Sequence, residues 1–145
     1  MADQSNSLRV RLVSPERVLF DTTADAVELP AKNGYMEVLY GHAPLLAELG
    51  AGDVRLHGAQ DSGSAGSKQV YNVSWGFVEV LPDRVTILAN DALKPEEIDV
   101  PRAEQQLDRG HKQWNEAGDS EEKYTEALHV IAEAEAKLAT AQEKH

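Results

Sequence analysis

The sequence contains no cysteine in its 145 residues, and it contains no long apolar run. Disulfide bridges and thiolate metal sites are therefore excluded, a composition that fits a reducing compartment. No segment approaches the ~20 apolar residues that a membrane-spanning helix needs, and the N-terminal residues lack the apolar core of a signal peptide. We therefore expect an intracellular protein that does not itself cross a membrane.

Basic residues are scarce as well, because 14 lysines and arginines stand against 25 aspartates and glutamates. The formal net charge is −11, and a surface this negative repels the phosphate backbone of nucleic acids. We therefore expect no nucleic-acid partner.

The usual signatures of catalysis and metal binding are missing. The five histidines form no i, i+4 pair and no H-E-x-x-H pattern, and no cysteine is present to complete a tetrahedral metal site. No G-x-S-x-G motif occurs, and the spacing of the carboxylates singles out no acid and base pair. We predict no metal, no cofactor and no catalytic residue, which favours a binding or coupling module over an enzyme.

The first part of the chain shows the two-residue apolar period of β-strands. Leu8, Val10 and Leu12 alternate with Arg9 and Arg11, which predicts a strand with one buried face. Further segments with strand composition, each bounded by turn-forming residues, are RVLF, DAVEL, YMEVL, DVRLH, QVYNVSW, FVEVL and RVTILA. So many short strands predict a β-sandwich or flattened barrel over residues 1–90.

Three stretches of this part carry turn or loop signals. Pro82 and Asp83 predict a tight hairpin between FVEVL and RVTILA, and Gly76 predicts a bulge or a bend just before it. The segment HGAQDSGSAGSK has no apolar periodicity, so it is predicted to be a loop at a hairpin tip.

The last part of the chain, residues 91–145, has the period of helices. Asp99 can cap a first helix with Pro101 in its first turn, and Ser120 can cap a second one. The predicted apolar face of the first helix consists of Val100, Ala103, Leu107, His111 and Trp114. That of the second consists of Ala127, Ile131, Ala134, Leu138 and Ala141. The prediction is an α+β protein of two domains, a β-sandwich followed by an antiparallel helical hairpin.

The segment YGHAPLL, residues 40–46, places a histidine at a turn beside leucines that look buried. His42 has two interpretations. It is either a turn histidine that is hydrogen-bonded to the backbone, or an exposed contact at a partner interface.

Three longer stretches, in this order, resemble the epsilon subunits of bacterial F-type ATP synthases: GYMEVLYGHAPLLAELGAGDVRL, VSWGFVEVLPDRVTILANDA and EEIDVPRAEQQL. The resemblance runs from about Leu8 to the C-terminus. It implies a flattened β-sandwich with two antiparallel helices, and a non-catalytic rotor part that is clamped to the γ subunit and seated on the membrane ring of c subunits. Such a subunit passes torque during proton-driven ATP synthesis, peripheral to the cytoplasmic face of the bacterial inner membrane.

The resemblance also implies which residues meet γ and the c ring, namely Tyr35, Glu37, Tyr40, His42 and Pro44. The family reads close to G-E-L-G-I-x-P-G-H before the turn, whereas this chain has Tyr35, Glu37 and Tyr40 at the positions of the Glu, the second Gly and the Pro. The tyrosines enlarge the apolar contact surface, so we expect the contacts to be redistributed and do not carry over the details of the Glu contact.

For the helical hairpin the resemblance implies a regulatory role. In many relatives the hairpin moves between a folded state and an extended state that meets the catalytic β subunits and inhibits ATP hydrolysis. Basic residues usually drive that contact, but the second helix here is rich in glutamate, which predicts a mainly folded hairpin and weak inhibition.

An alternative is an ATP-sensing module. The segment IDVPRA resembles one with which some relatives bind ATP, so Asp99 and Arg102 are candidate nucleotide-binding residues. The competing interpretation is that Asp99 caps a helix and Arg102 is solvated. Relatives that hold ATP also use arginines on the second helix, and this chain has none after Arg109.

Overall fold

The computed structural model describes residues 7–59 and 69–143. Most of the predicted HGAQDSGSAGSK loop, residues 60–68, lies outside the described residues. The chain divides into two compact units, Met1–Lys94 and Pro95–His145. The last strand of the first unit continues to Leu93, beyond the domain boundary that the sequence predicted at residue 90.

Within the described residues, the first unit consists of one seven-stranded sheet. Its strands are β1 (Leu8–Val13), β2 (Val18–Ala24), β3 (Ala26–Ala31), β4 (Gly34–Leu39), β5 (Leu45–His57), β6 (Gln69–Leu81) and β7 (Arg84–Leu93). Their order in the sheet is β2-β1-β7-β6-β5-β3-β4. Neighbouring strands are antiparallel except β1 and β7, which are parallel.

One face of this sheet forms the core. Leu8, Val10 and Leu12 are fully buried while Arg9 and Arg11 point outward, as the alternation predicts. All seven strands contribute side chains to a single buried cluster, so the sheet folds over and encloses its own inner face. This is a β-sandwich, and the predicted fold class is confirmed.

The two longest strands were only partly predicted. β6 is one strand from Gln69 to Leu81, where the sequence predicted two, but the irregularity expected at Gly76 is present. Trp75 and Gly76 both have positive φ, and a side chain at Gly76 would collide with the carbonyl of Leu88. β5 begins at Leu45, well before the predicted start at Asp53. Its first half mixes leucine, alanine and glycine without alternation, and pairing with β6 keeps it extended.

The second unit holds two helices in its described residues, α1 (Val100–Asn115) and α2 (Glu121–Gln142), preceded by a 3-10 turn at Pro95–Glu97. Asp99 caps α1 by accepting the amide N–H of Arg102 at 3.1 Å, and Ser120 caps α2 by accepting that of Lys123 at 3.2 Å. The predicted caps are confirmed.

The two helices pack closely against each other at Gly110. The predicted stripe of α2 is buried or half-buried, which confirms it, but Val100 and His111 on α1 are exposed, so their predicted inward positions are wrong. Trp114 is 41% exposed but faces α2, where its ring contacts that of Tyr124. Gly110 is the buried residue of α1 at this contact. A Cβ added to it would lie 2.7 Å from Cγ1 of Ile131. The helices are too close at this point for a larger residue than glycine.

Candidate partner-binding surface

The β4–β5 turn, residues 40–44, holds three of the five residues predicted to meet a partner. Gly41 has φ +90° and donates its amide N–H to the carbonyl of Pro82 at 2.7 Å. His42 donates its own amide N–H to the carbonyl of Leu39 at 3.2 Å. The bond from Gly41 fastens the β4–β5 turn to the β6–β7 turn, and the bond from His42 closes the β4–β5 turn itself, so that the two turns form one fixed end of the sandwich.

The His42 ring also contacts the turn itself. Nδ1 lies 2.7 Å from the carbonyl oxygen of Ala43, to which it donates a hydrogen bond. This is the contact expected of a turn histidine that bonds to the backbone. The ring is only half-buried, so a contact with a partner stays a prediction.

Apolar side chains are exposed around this turn. Tyr40 and Pro44 are exposed on the turn, and Leu39, Leu45 and Leu46 flank it. Leu46 is 71% exposed, so the expectation that the leucines of this segment are buried is wrong for Leu45 and Leu46; Leu49, farther along β5, is buried. A cluster of exposed apolar side chains on a fixed turn is typical of a surface that binds another protein.

Tyr35 lies near the other end of β4, a strand of six residues that spans roughly 17 Å. Although 61% of the side chain is exposed, its hydroxyl accepts the amide N–H of Asp53 at 2.8 Å. The ring lies across Gly52, where any side chain would collide with the Tyr35 hydroxyl. The pairing of β3 with β5 shifts register here, and the hydroxyl takes the place of a carbonyl acceptor. Tyr35 therefore has a structural role in addition to the predicted one.

Glu37 is exposed in the middle of β4, directly opposite Glu28 on β3. The Glu28 carboxylate accepts a hydrogen bond from His57 Nε2 at 2.8 Å. The structure thus distributes the predicted residues along β4 and its following turn, and brings only Tyr40, His42 and Pro44 together.

The candidate nucleotide-binding residues lie at the start of α1. Both side chains are exposed, but the Asp99 carboxylate is engaged as the helix cap. In residues 7–59 and 69–143, no group of three His, Cys, Asp or Glu side chains is placed to hold a metal ion. Neither described helix is long and apolar enough to span a bilayer.

One exposed apolar surface was missed by the sequence reasoning. Phe77 on β6 and Leu88 on β7 are cross-strand partners, and each is 52% exposed on the outer face of the sheet. The alternation of the β6–β7 hairpin could have indicated this surface. Val78, Val80 and Ile87 fill the inner positions, so Phe77 and Leu88, at alternate positions, must point outward.

Comparison with known proteins first defines the class. The family described as ATP synthase, Delta/Epsilon chain, beta-sandwich domain matches residues 7–95. Of the chain's relatives, the ATP synthase epsilon chain of Solibacter usitatus is 39% identical over 140 residues, 96% of this chain and 98% of that protein. The epsilon chain of Koribacter versatilis is 37% identical over 114 residues, 79% of this chain and 76% of that protein.

Solved structures show the same fold. A cryo-EM structure of the Euglena gracilis mitochondrial ATP synthase, with OSCP, F1 and c-ring, contains a chain that superposes with a TM-score of 0.73 at 21% identity, covering 92% of this chain and 81% of that one. The central stalk and c-ring of the Tetrahymena thermophila enzyme contain another, with a TM-score of 0.64 at 12% identity, covering 93% and 96%. The chain belongs to the ATP synthase epsilon chain family, and it is an accessory subunit of ATP synthase without catalytic function.

Proposed function

We propose that this chain is a rotor subunit that binds γ and the c ring, and that it couples proton translocation to ATP synthesis at the cytoplasmic face of the bacterial inner membrane. The observation that carries the proposal is the β4–β5 turn. There Tyr40, His42 and Pro44 stand beside exposed leucines on a turn that is bonded to Pro82. A rotor contact has to transmit torque without yielding, and a turn that is hydrogen-bonded to its neighbour suits that role.

The test uses His42→Ala, with His111→Ala as the control because His111 is an exposed histidine that belongs to the other unit, on α1. Each variant is co-purified from native membranes with γ and the catalytic subunits, and its melting temperature is measured alone. We expect the His42 variant to keep its melting temperature and lose affinity for γ or the c ring. If that variant assembles as well as the His111 variant, the turn is not the contact.

We further propose that the hairpin regulates ATP hydrolysis only weakly. The helices are held together at Gly110, by a 3.2 Å hydrogen bond from Gln106 Nε2 to the carbonyl of Val130, and by the edge-on contact of Trp114 with Tyr124 at 4.6 Å. The described part of α2 carries more glutamates than lysines, namely Glu121, Glu122, Glu126, Glu133 and Glu135 against Lys123 and Lys137. Packing therefore favours the folded hairpin, while like charges oppose insertion between acidic surfaces of catalytic β subunits.

This regulatory proposal predicts that deleting residues 120–145 changes ATP hydrolysis by the reconstituted complex very little. A several-fold activation on deletion would contradict it.

An ATP-sensing role at Asp99 and Arg102 is the second candidate. The Asp99 carboxylate already accepts the Arg102 amide, and breaking a helix cap costs about 1 kcal/mol, which weakens binding about fivefold. The chain also has no arginine after Arg109 with which the second helix could hold the nucleotide. We therefore expect calorimetric titration of ATP into the isolated protein to give no heat of binding at millimolar concentration. A saturable signal that Asp99→Ala removes would instead establish the sensor.

A further inference from the structure

A row of side chains crosses five strands on the outer face of the sheet. The strand registers place the residues of this row side by side in the order Asp21, Arg11, Thr86, Glu79 and Leu46. Arg9 and Arg84 are partners in the parallel β1–β7 pairing and lie one row away. Three of the chain's seven arginines therefore face outward from one small region of a protein with net charge −11.

These arginines are incompletely neutralised. Arg9 binds both carboxylate oxygens of Asp21, at 3.0 and 3.3 Å, whereas Arg11 approaches the same carboxylate only to 3.8 Å. The hydrogen bond from Arg9 holds the pKa of the Asp21 carboxyl below its usual value. Arg84 makes no ion pair or hydrogen bond with any side chain in the described ranges. The three arginines line an open groove of about 250 Å³ together with Asp21 and Glu79, so three positive side chains face two negative ones.

An apolar row runs beside the arginines, one step farther along the strands. It consists of Val18, Val13, Leu88 and Phe77, and three of these side chains are largely exposed. The four strands that carry it are about 4.8 Å apart, so the row is about 14 Å long. Successive turns of an α-helix are 5.4 Å apart, and apolar residues at i, i+3 or i+4, and i+7 match such a row.

We propose that this outer surface binds an amphipathic helix of a partner chain, with its apolar stripe over Leu88 and Phe77 and its carboxylates over Arg11 and Arg84. A helix about 10 Å in diameter that lies on the apolar row brings its flank over Arg11, which is one row or about 7 Å away. Arg84 is two rows or about 14 Å from the apolar row, so it is reached by a long acidic side chain on that flank. Guanidinium groups bind carboxylates through paired hydrogen bonds, which fixes the register of the helix. The inference rests on the proposed function in that the partner is another subunit of the same complex.

The first experiment identifies the occupant. Because the chain has no cysteine, Thr86→Cys provides a single site in the groove for a benzophenone crosslinker. The labelled subunit is assembled into ATP synthase, irradiated, and the linked peptide is sequenced. We expect a helical segment with apolar residues three or four apart and at least two carboxylates on one flank. A linked segment without these features, or no crosslink in the assembled complex, would overturn the inference. Failure to assemble would count against the proposed function instead.

The second experiment tests the charges. Arg11→Gln with Arg84→Gln and the control pair Arg109→Gln with Lys112→Gln on α1 both change the net charge from −11 to −13, by removing two positive charges. We expect the first pair to weaken binding to the purified remainder of the complex at least about tenfold and to flatten its dependence on salt. Equal binding by both pairs would refute the role of the arginines. Saturable binding of inorganic phosphate at the groove, without a helix crosslink, would identify a small-anion site and overturn the proposal.

Discussion

Replacing Tyr35 with phenylalanine should destabilise the sandwich even though the side chain is mostly exposed. The substitution removes one oxygen, the acceptor of the Asp53 amide, and leaves the ring lying across Gly52. Asp53 is only 7% exposed, and the β3–β5 ladder shifts register at this point. The amide therefore loses its acceptor in a place that water reaches poorly.

The size of the effect follows from the cost of an unsatisfied buried donor, about 1–3 kcal/mol. Because the retained ring keeps β5 from shifting to bring the Asp53 amide to a new acceptor, we expect the free energy of unfolding to fall by about 1–2 kcal/mol. For a domain of 60–100 residues each kcal/mol lowers the melting temperature by roughly 4–8 °C. Such a change is several times larger than that of an ordinary surface substitution.

The assay is denaturant unfolding together with hydrogen exchange of the Asp53 amide by NMR. Tyr40→Phe is the matched control, since the Tyr40 hydroxyl makes no hydrogen bond to any residue that the structure describes. We expect Tyr40→Phe to stay within about 0.5 kcal/mol of the wild type. If Tyr35→Phe does the same, and the Asp53 amide keeps its protection, the hydroxyl is not an acceptor that the fold requires.

Three further predictions concern other contacts. Gly110→Ala should weaken the hairpin by about 1–3 kcal/mol, seen as loss of helical circular dichroism at lower denaturant, because its Cβ would press on Ile131; an unchanged midpoint would refute the close packing. Asp21→Asn should lower stability above about pH 4 and have no effect well below it. The pKa of the Asp21 carboxyl is lower in the folded than in the unfolded protein, so the ionised carboxylate stabilises the fold above the unfolded pKa, and this stabilisation is lost as the pH falls through the folded pKa. A difference in melting temperature between variant and wild type that persists at low pH would contradict this. A chain of residues 1–94 should fold and bind γ, whereas one that ends at residue 89 should not, since β7 continues to Leu93; an unfolded 1–94 fragment would refute the two-domain reading.

The sequence predicted best those features that depend on near neighbours. Four kinds of feature are each determined by a few adjacent residues, and all are present: the alternation in β1, the Pro82–Asp83 turn, the irregular backbone at Gly76, and the caps Asp99 and Ser120. The fold class followed from these features together.

Features that depend on distant contacts were not predictable in this way. The tie between Tyr35 and Asp53 joins two strands across a shifted register, and no local pattern indicates it. The inward position of Gly110 depends on how closely α2 approaches. A pattern of apolar residues does not include glycine, although Gly110 is the point at which the two helices make contact. For the candidate binding surface, the turn residues followed from their motif, while the exposed pair of Phe77 and Leu88 required the inner face to be assigned first.

The position of β7 between β1 and β6 governs when the protein can fold during its synthesis. Arg9 pairs with Arg84 across 75 residues of chain, so the N-terminal hairpin of β1 and β2 leaves the ribosome long before its neighbour exists. Contacts this far apart in sequence form slowly, and an open strand edge in the meantime invites pairing with other nascent chains. Charged side chains at alternate positions of an unpaired strand discourage such pairing. Arg9 and Arg11 are placed to protect β1 in this way until β7, which ends at Leu93, has been synthesised.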